Sequence, residues 1–153
     1  EYFICRKYIT GFTGSAGTAV IMQDMAGLWT DGRYFIQAAD QLEGTGITLF
    51  KMGEPEVPTV HEFLKKNLTQ GRCLGFDGRT VSAKEAAELE KMLDENGVSL
   101  SVDHDLAGDI WENRPVLSCE PVTELDIKWA GESRADKCAR IRKAMERVQI
   151  YLY

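Results

Sequence analysis

Histidine is scarce in this sequence: His61 and His104 are the only two among 153 residues. His61 opens the run HEFLK, but no second histidine follows at HExxH spacing, so a helical zinc-protease motif is absent. Four cysteines, Cys5, Cys73, Cys119 and Cys138, stand without CxxC or CxxxC spacing. This argues against a zinc knuckle or a vicinal redox pair, and their number is low for a disulfide scaffold, so reduced thiols in a cytoplasm are expected. Positive charge does not dominate either: 18 Lys and Arg face 24 Asp and Glu, a formal net charge of −6 with no basic stripe, which gives nucleic acid no footprint. Apolar runs such as TAVIM and ITLF are too short to cross a bilayer, and the first residues lack the basic-then-apolar layout of a secretion signal. A soluble protein without membrane or nucleic-acid partners is the expectation.

The length suits one compact domain with a respectable core. Tyr8 to Thr10, Thr18 to Met22 and Gly27 to Thr30 are β-branched or aromatic runs separated by turn-forming residues, and they predict consecutive antiparallel strands. Asp31 can cap a helix with Phe35, Ala38, Ala39 and Leu42 on one side, ended by Gly44 and Gly46, before a strand over 47–52. Thr59 with Glu62, and Ser82 with Glu85, form capping-box patterns that open two further helices. Cys73 to Phe76 reads as a buried strand and Ser99 to Val102 as another. The alternation predicts an α/β fold: a mixed sheet with an antiparallel hairpin at the front and helices on both faces. A short amphipathic turn spans Leu106 to Trp111. Beyond it the texture becomes that of a strap, irregular up to Gly131, and Ser133 with Asp136 begins a last helix through Lys137, Ile141, Met145 and Val148 with no stop signal. Residues 1–118 are thus expected to form an α/β domain, and 119–153 a strap and helix leading to a further domain.

The stretch YITGFTGSAGTAVIM places Gly11, Gly14 and Gly17 between apolar runs. No Lys-Ser/Thr follows, the spacing is GxxGxxG, and a strand rather than a helix comes next, so a tight connection is favoured over a phosphate cradle. Ser15 in GSAG lacks the GxSxG spacing of a nucleophile elbow, and Ser15 and Thr13 are assigned to satisfying nearby amides. In WTDGRYF, the residues Asp31, Gly32, Arg33 and Tyr34 can form either a bidentate Asp–Arg brace or a ligand-facing turn, the brace being the favoured reading. The cluster Asp103-His104-Asp105 could bind a cation weakly, and a solvated loop after a strand explains it equally well; Trp111 and Trp129 read as apolar anchors. No catalytic residue and no metal site is assigned.

YITGFTGSAGTAVI followed by LWTDGRYFIQAADQL resembles the N-terminal domain of Xaa-Pro aminopeptidases (aminopeptidase P), of the creatinase and prolidase superfamily. The resemblance runs through GFDGRTVSAKEAAEL and DLAGDIWENRP into ELDIKWAGESRADKCARIRKAM, which is similar to the passage between the first and second domains of the long, three-domain form. It implies a mixed sheet with helices on its faces. It also implies that two divalent metals, commonly manganese, are held by two Asp, one His and two Glu of a C-terminal domain, so that this chain alone is inactive. The first domain is implied to take part in dimer contacts and to overhang the cleft that admits peptides with proline second. Arg6 to Ser15 would then lie nearest the cleft, since the family's strand before this segment faces it, with Arg6 meeting a substrate carboxylate or carbonyl and Phe12 lining the entrance. Family members carry an additional N-terminal strand before the point where this chain starts. A creatinase-like module serving protein interaction without peptidase activity is the alternative function.

Overall fold

The computed structural model describes residues 2–148, which fall into two compact units divided between Leu117 and Ser118. The first unit opens with helix α1 (Cys5–Thr10), followed after a glycine turn by β1 (Thr18–Ile21) and β2 (Ala26–Thr30). The segment Tyr8 to Thr10 is therefore helical, not a strand. Its strand-favouring side chains find helical uses: Thr10 Oγ1 donates to Arg6 O, four residues back, at 2.8 Å, and Tyr8 stacks on Trp111. Tertiary contact overrides a weak local preference.

β1 and β2 form an antiparallel hairpin with Ala19 opposite Leu28 and Val20 opposite Gly27, closed by Met22 N donating to Met25 O at 2.8 Å. Asp31 caps a 3-10 turn (Gly32–Tyr34) that runs into α2 (Phe35–Leu42). The chain returns as β3 (Ile47–Lys51), parallel to β2 with Leu28 opposite Leu49. The three-stranded sheet is mixed, with β1 and β3 at its edges. Successive residues of a strand face opposite sides, and the two cores follow from that. Leu28 packs with Phe12, Ala38 and Leu42 on one face. Trp29 packs on the other with Val20, Leu64 and Leu89. The fully buried Leu28 alone is worth about 2 kcal/mol of transfer free energy.

The second face is covered by α3 (Val60–Asn67) and α4 (Ala83–Asp94), so helices lie on both faces as expected. Thr59 and Glu62 form the complete reciprocal capping box, whereas at Ser82 only the forward bond from Glu85 N is made, at 3.2 Å. β4 (Cys73–Gly75) precedes α4 and β5 (Ser99–Ser101) follows it, the two pairing parallel in a sheet of their own. β4 is only half-buried, with Cys73 exposed, because a two-stranded sheet leaves it flanked on one side only. Helix α5 (Leu106–Ile110), capped by Asp105, closes the unit.

In the second unit α6 (Ile127–Ala130) occupies part of the stretch expected to be irregular, capped by Asp126. Then α7 (Arg134–Val148) begins where Ser133 Oγ accepts from Asp136 N at 3.0 Å. The expected run of this helix to the last residue lies outside the described residues. No side chain of α7 is buried, and Trp129 is 75% exposed, with Lys128 Nζ 5.6 Å from its ring centroid.

Candidate functional site

Helix α1 stops at Gly11, whose φ of 74° is the left-handed conformation that glycine adopts without strain, and whose N–H donates to Lys7 O at 2.8 Å. The chain then folds over Phe12. That ring is fully buried, and a Cβ on Gly14 would lie 2.2 Å from its Cζ, so only glycine lets the turn close on the ring. Arg6 fastens the turn from the helix side: Nη1 donates to Gly17 O at 2.6 Å and Nη2 to Gly14 O. Its guanidinium carbon also stands 5.6 Å from the Phe12 centroid, while Nε is buried without a partner. Burial pushes the Arg6 pKa down, partly offset by Tyr34.

These positions change what two residues do. Phe12 offers no surface to line an entrance; it is the floor beneath the turn. Arg6 spends both terminal nitrogens on backbone carbonyls, which makes it a staple of the turn. The strand that was to aim this segment is a helix here.

The outer rim of the turn is polar. Thr13 N donates to Gln41 Oε1 at 3.0 Å, and Thr13 Oγ1 accepts from Gln37 Nε2 at 2.8 Å and Gln41 Nε2 at 2.9 Å. Ser15 Oγ and the Tyr34 hydroxyl are 2.7 Å apart, a bond that lowers the Tyr34 pKa. Thr30 Oγ1 reaches Ala16 O at 2.8 Å, tying the turn to β2. Beside it Arg33 grips Asp31 through two bonds, Nε to Oδ1 at 2.8 Å and Nη2 to Oδ2 at 2.7 Å, and the Arg33 side chain and backbone hold the Asp31 pKa down at about 2. The rim therefore presents fixed hydrogen-bonding groups and one internally compensated ion pair. It holds no nucleophile aligned with a base, so the chemistry it supports is shape and contact.

His61 and His104 are not brought to this rim. His61 Nε2 is buried on α3 without a partner, and His104 lies in the exposed loop before α5. Among the described residues, no three His, Cys, Asp or Glu side chains converge as a metal cluster would require. No chemical step is assigned to a metal pair at these described side chains. Among the described residues, no helix is long and apolar enough to cross a membrane.

A second cluster escaped the sequence reading. Arg114, with a side chain only 9% exposed, pairs with Asp105 through Nη1, donates from Nε to Tyr2 O at 2.9 Å and from Nη2 to Cys5 Sγ at 3.2 Å, and stacks 3.7 Å from the Tyr2 centroid. Arg79 joins it, bonding Asp77 and Asp105 at 2.7 Å each. The one local signal was the second Asp-Gly-Arg triplet, Asp77 to Arg79, whose brace repeats that of Asp31 and Arg33.

The Creatinase/Prolidase N-terminal domain profile matches residues 5–109. A "Probable Xaa-Pro aminopeptidase P" of Laccaria bicolor is 42% identical over 144 residues, covering 93% of this chain and 22% of its own length. Aminopeptidase P2 of Arabidopsis thaliana is 40% identical, with 93% and 20% covered. The crystal structure of an X-prolyl aminopeptidase from Caenorhabditis elegans, a cytosolic enzyme with a di-nuclear active site, superposes with a TM-score of 0.77 at 33% identity, over 97% of this chain and 24% of that one. The chain thus spans between a fifth and a quarter of the length of these relatives. With a matching profile over two thirds of its residues and the same fold, the chain belongs to the creatinase/prolidase N-terminal domain family.

Proposed function

We propose that this chain is the non-catalytic N-terminal lobe of a metal-dependent Xaa-Pro aminopeptidase, an enzyme that removes the residue preceding a proline at the second position. The observation carrying this reading is the similarity along 97% of the chain to the C. elegans enzyme at 33% identity. The hydrolytic ions, manganese in this reading, belong to a downstream domain, where a metal pair supplies an activated water and a polarised carbonyl. The lobe's own work is steric: with the middle and C-terminal domains, in a cytoplasmic homodimer to whose contact it contributes, it overhangs the cleft and limits entry to short or unstructured N-termini. The rim of the glycine turn, from Thr13 to Ser15, borders that cleft, and Arg6 keeps the rim in shape.

The test is Arg6→Ala in the full-length polypeptide, assayed on an Xaa-Pro peptide. Releasing Gly14 and Gly17 loosens the rim without touching the hydrolytic domain, so KM rises severalfold while kcat falls less. Unchanged kinetics would remove the turn from the cleft. An inert full-length protein that still binds partners would favour an interaction module instead.

A further inference from the structure

We infer that Arg114 is a positioning residue for the glycine turn, acting through helix α1 and Arg6. Helix α1 has six residues and no side-chain cap at its N-terminus, too little to hold its own place. Besides the bonds of Arg6 to the glycine turn and the contact with β1, it is held by the segment from α5 to Arg114. Tyr8 stacks on Trp111 with centroids 4.3 Å apart and 9° between planes, and its hydroxyl donates to Ile110 O at 3.0 Å. Arg114 takes the other end, with Tyr2 O and Cys5 Sγ as its acceptors. Asp105 fixes Arg114 in turn, and also caps α5 by accepting from Gly108 N at 2.9 Å. Every nitrogen of the Arg114 guanidinium is thus committed: one to the α5 cap, one to Tyr2 ahead of α1 and one to Cys5, the first residue of α1.

Cys5 and Arg6 are adjacent in sequence, so whatever places Cys5 places the residue that staples Gly14 and Gly17. A lysine at 114 separates charge from geometry. Its single ammonium retains a charge for Asp105 but lacks the planar fork that reaches Tyr2 O and Cys5 Sγ together. Arg114→Lys therefore frees α1 and leaves the pairing of charge in place.

The experiment measures amide exchange in the full-length polypeptide for the wild type, Arg114→Lys, Arg6→Met and the double variant. Exchange reports local opening, so the segment 12–17 is expected to exchange about fivefold faster in each single variant, with the β2 amides unchanged. Because both residues act on the turn in series, the double variant exceeds Arg6→Met by less than twofold in this segment. Wild-type exchange at 12–17 in Arg114→Lys, acceleration spread equally into β2, or a double variant equal to the product of the singles would each overturn the inference. Should Arg114→Lys fail to fold, Asp105→Asn keeps an acceptor for Gly108 while loosening Arg114. It should accelerate the same segment, and no change there would also overturn it. The kinetic consequence rests on the turn bordering the cleft, and the same variants separate the two ideas: faster exchange with an unaltered KM leaves Arg114 its role and removes the turn from the cleft.

Discussion

The indole of Trp29 and the ring of Phe50 lie parallel on adjacent strands, 4.0 Å apart with 2° between their planes. Gly27, two residues before Trp29, makes this possible. A Cβ there would stand 2.7 Å from Phe50 Cε2 and 2.8 Å from Trp29 Cζ3. Trp29 is fully buried and cannot retreat, since its Nε1 donates to Pro58 O at 2.8 Å. Gly27→Ala should destabilise the fold by about 1–3 kcal/mol through overpacking. Gly32→Ala, with its nearest neighbour 3.8 Å away, should stay within about 0.5 kcal/mol of wild type. Equilibrium denaturation of the two variants checks this, and equal midpoints would contradict the packing argument.

The brace between Arg33 and Asp31 makes a prediction about acid. Hydrogen bonds from the Arg33 side chain lead the causes that hold the Asp31 pKa at about 2 in the folded chain. A folded value below the unfolded one, about 3.9, means that the pair's contribution is complete above that value and is lost as pH falls toward 2. The side chains are solvent-exposed, so the contribution is small and weakened by salt. A carbon-detected NMR titration of the Asp31 carboxyl should give a midpoint near 2 in the wild type and one in the ordinary carboxylate range in Arg33→Gln. An identical midpoint in both would show that the brace is absent in solution.

The two helix starts facing the Trp29 side of the sheet are capped unequally. At Thr59 the box is closed in both directions, Glu62 N donating to Thr59 Oγ1 at 3.2 Å and Thr59 N to Glu62 Oε2 at 2.8 Å. At Ser82 the return bond is missing. Thr59→Ala should therefore cost about 1 kcal/mol or somewhat more, and Ser82→Ala about 0.5–1 kcal/mol. A larger loss at Ser82 in urea titrations would reverse this ranking.

How far the sequence reveals the fold depends on the range of the interaction concerned. The box at Thr59, the hairpin over 18–30 and the positive-φ Gly97 after α4 are written in neighbouring residues, and they form where the pattern puts them. Helix α1 is not legible locally, because Tyr8, Ile9 and Thr10 carry strand-favouring side chains. The reasons that they coil lie elsewhere in the chain, in Trp111 and in the carbonyls that Arg6 reaches. Gly11 in the place of a helix-terminating glycine was the available hint.

The candidate site was legible in outline only. The triplet Asp31-Gly32-Arg33 announces its own brace, since both partners are two residues apart. The burial of Phe12 was not readable, because it depends on Leu28, Ala38 and Leu42 converging from β2 and α2. Arg114 was invisible for the same reason at longer range: Tyr2 and Cys5 are over a hundred positions away, and no local pattern signals such a partner.

In the proposed reading, this lobe supports hydrolysis performed by another part of the polypeptide. That dependence is tested most directly by assaying, at equal molarity with manganese, release of the N-terminal residue from an Xaa-Pro peptide by the 153-residue chain and by the full-length polypeptide. Release by the full-length polypeptide and none by the chain alone is the expected result. Turnover by the 153-residue chain, or none by the full-length polypeptide, would contradict it.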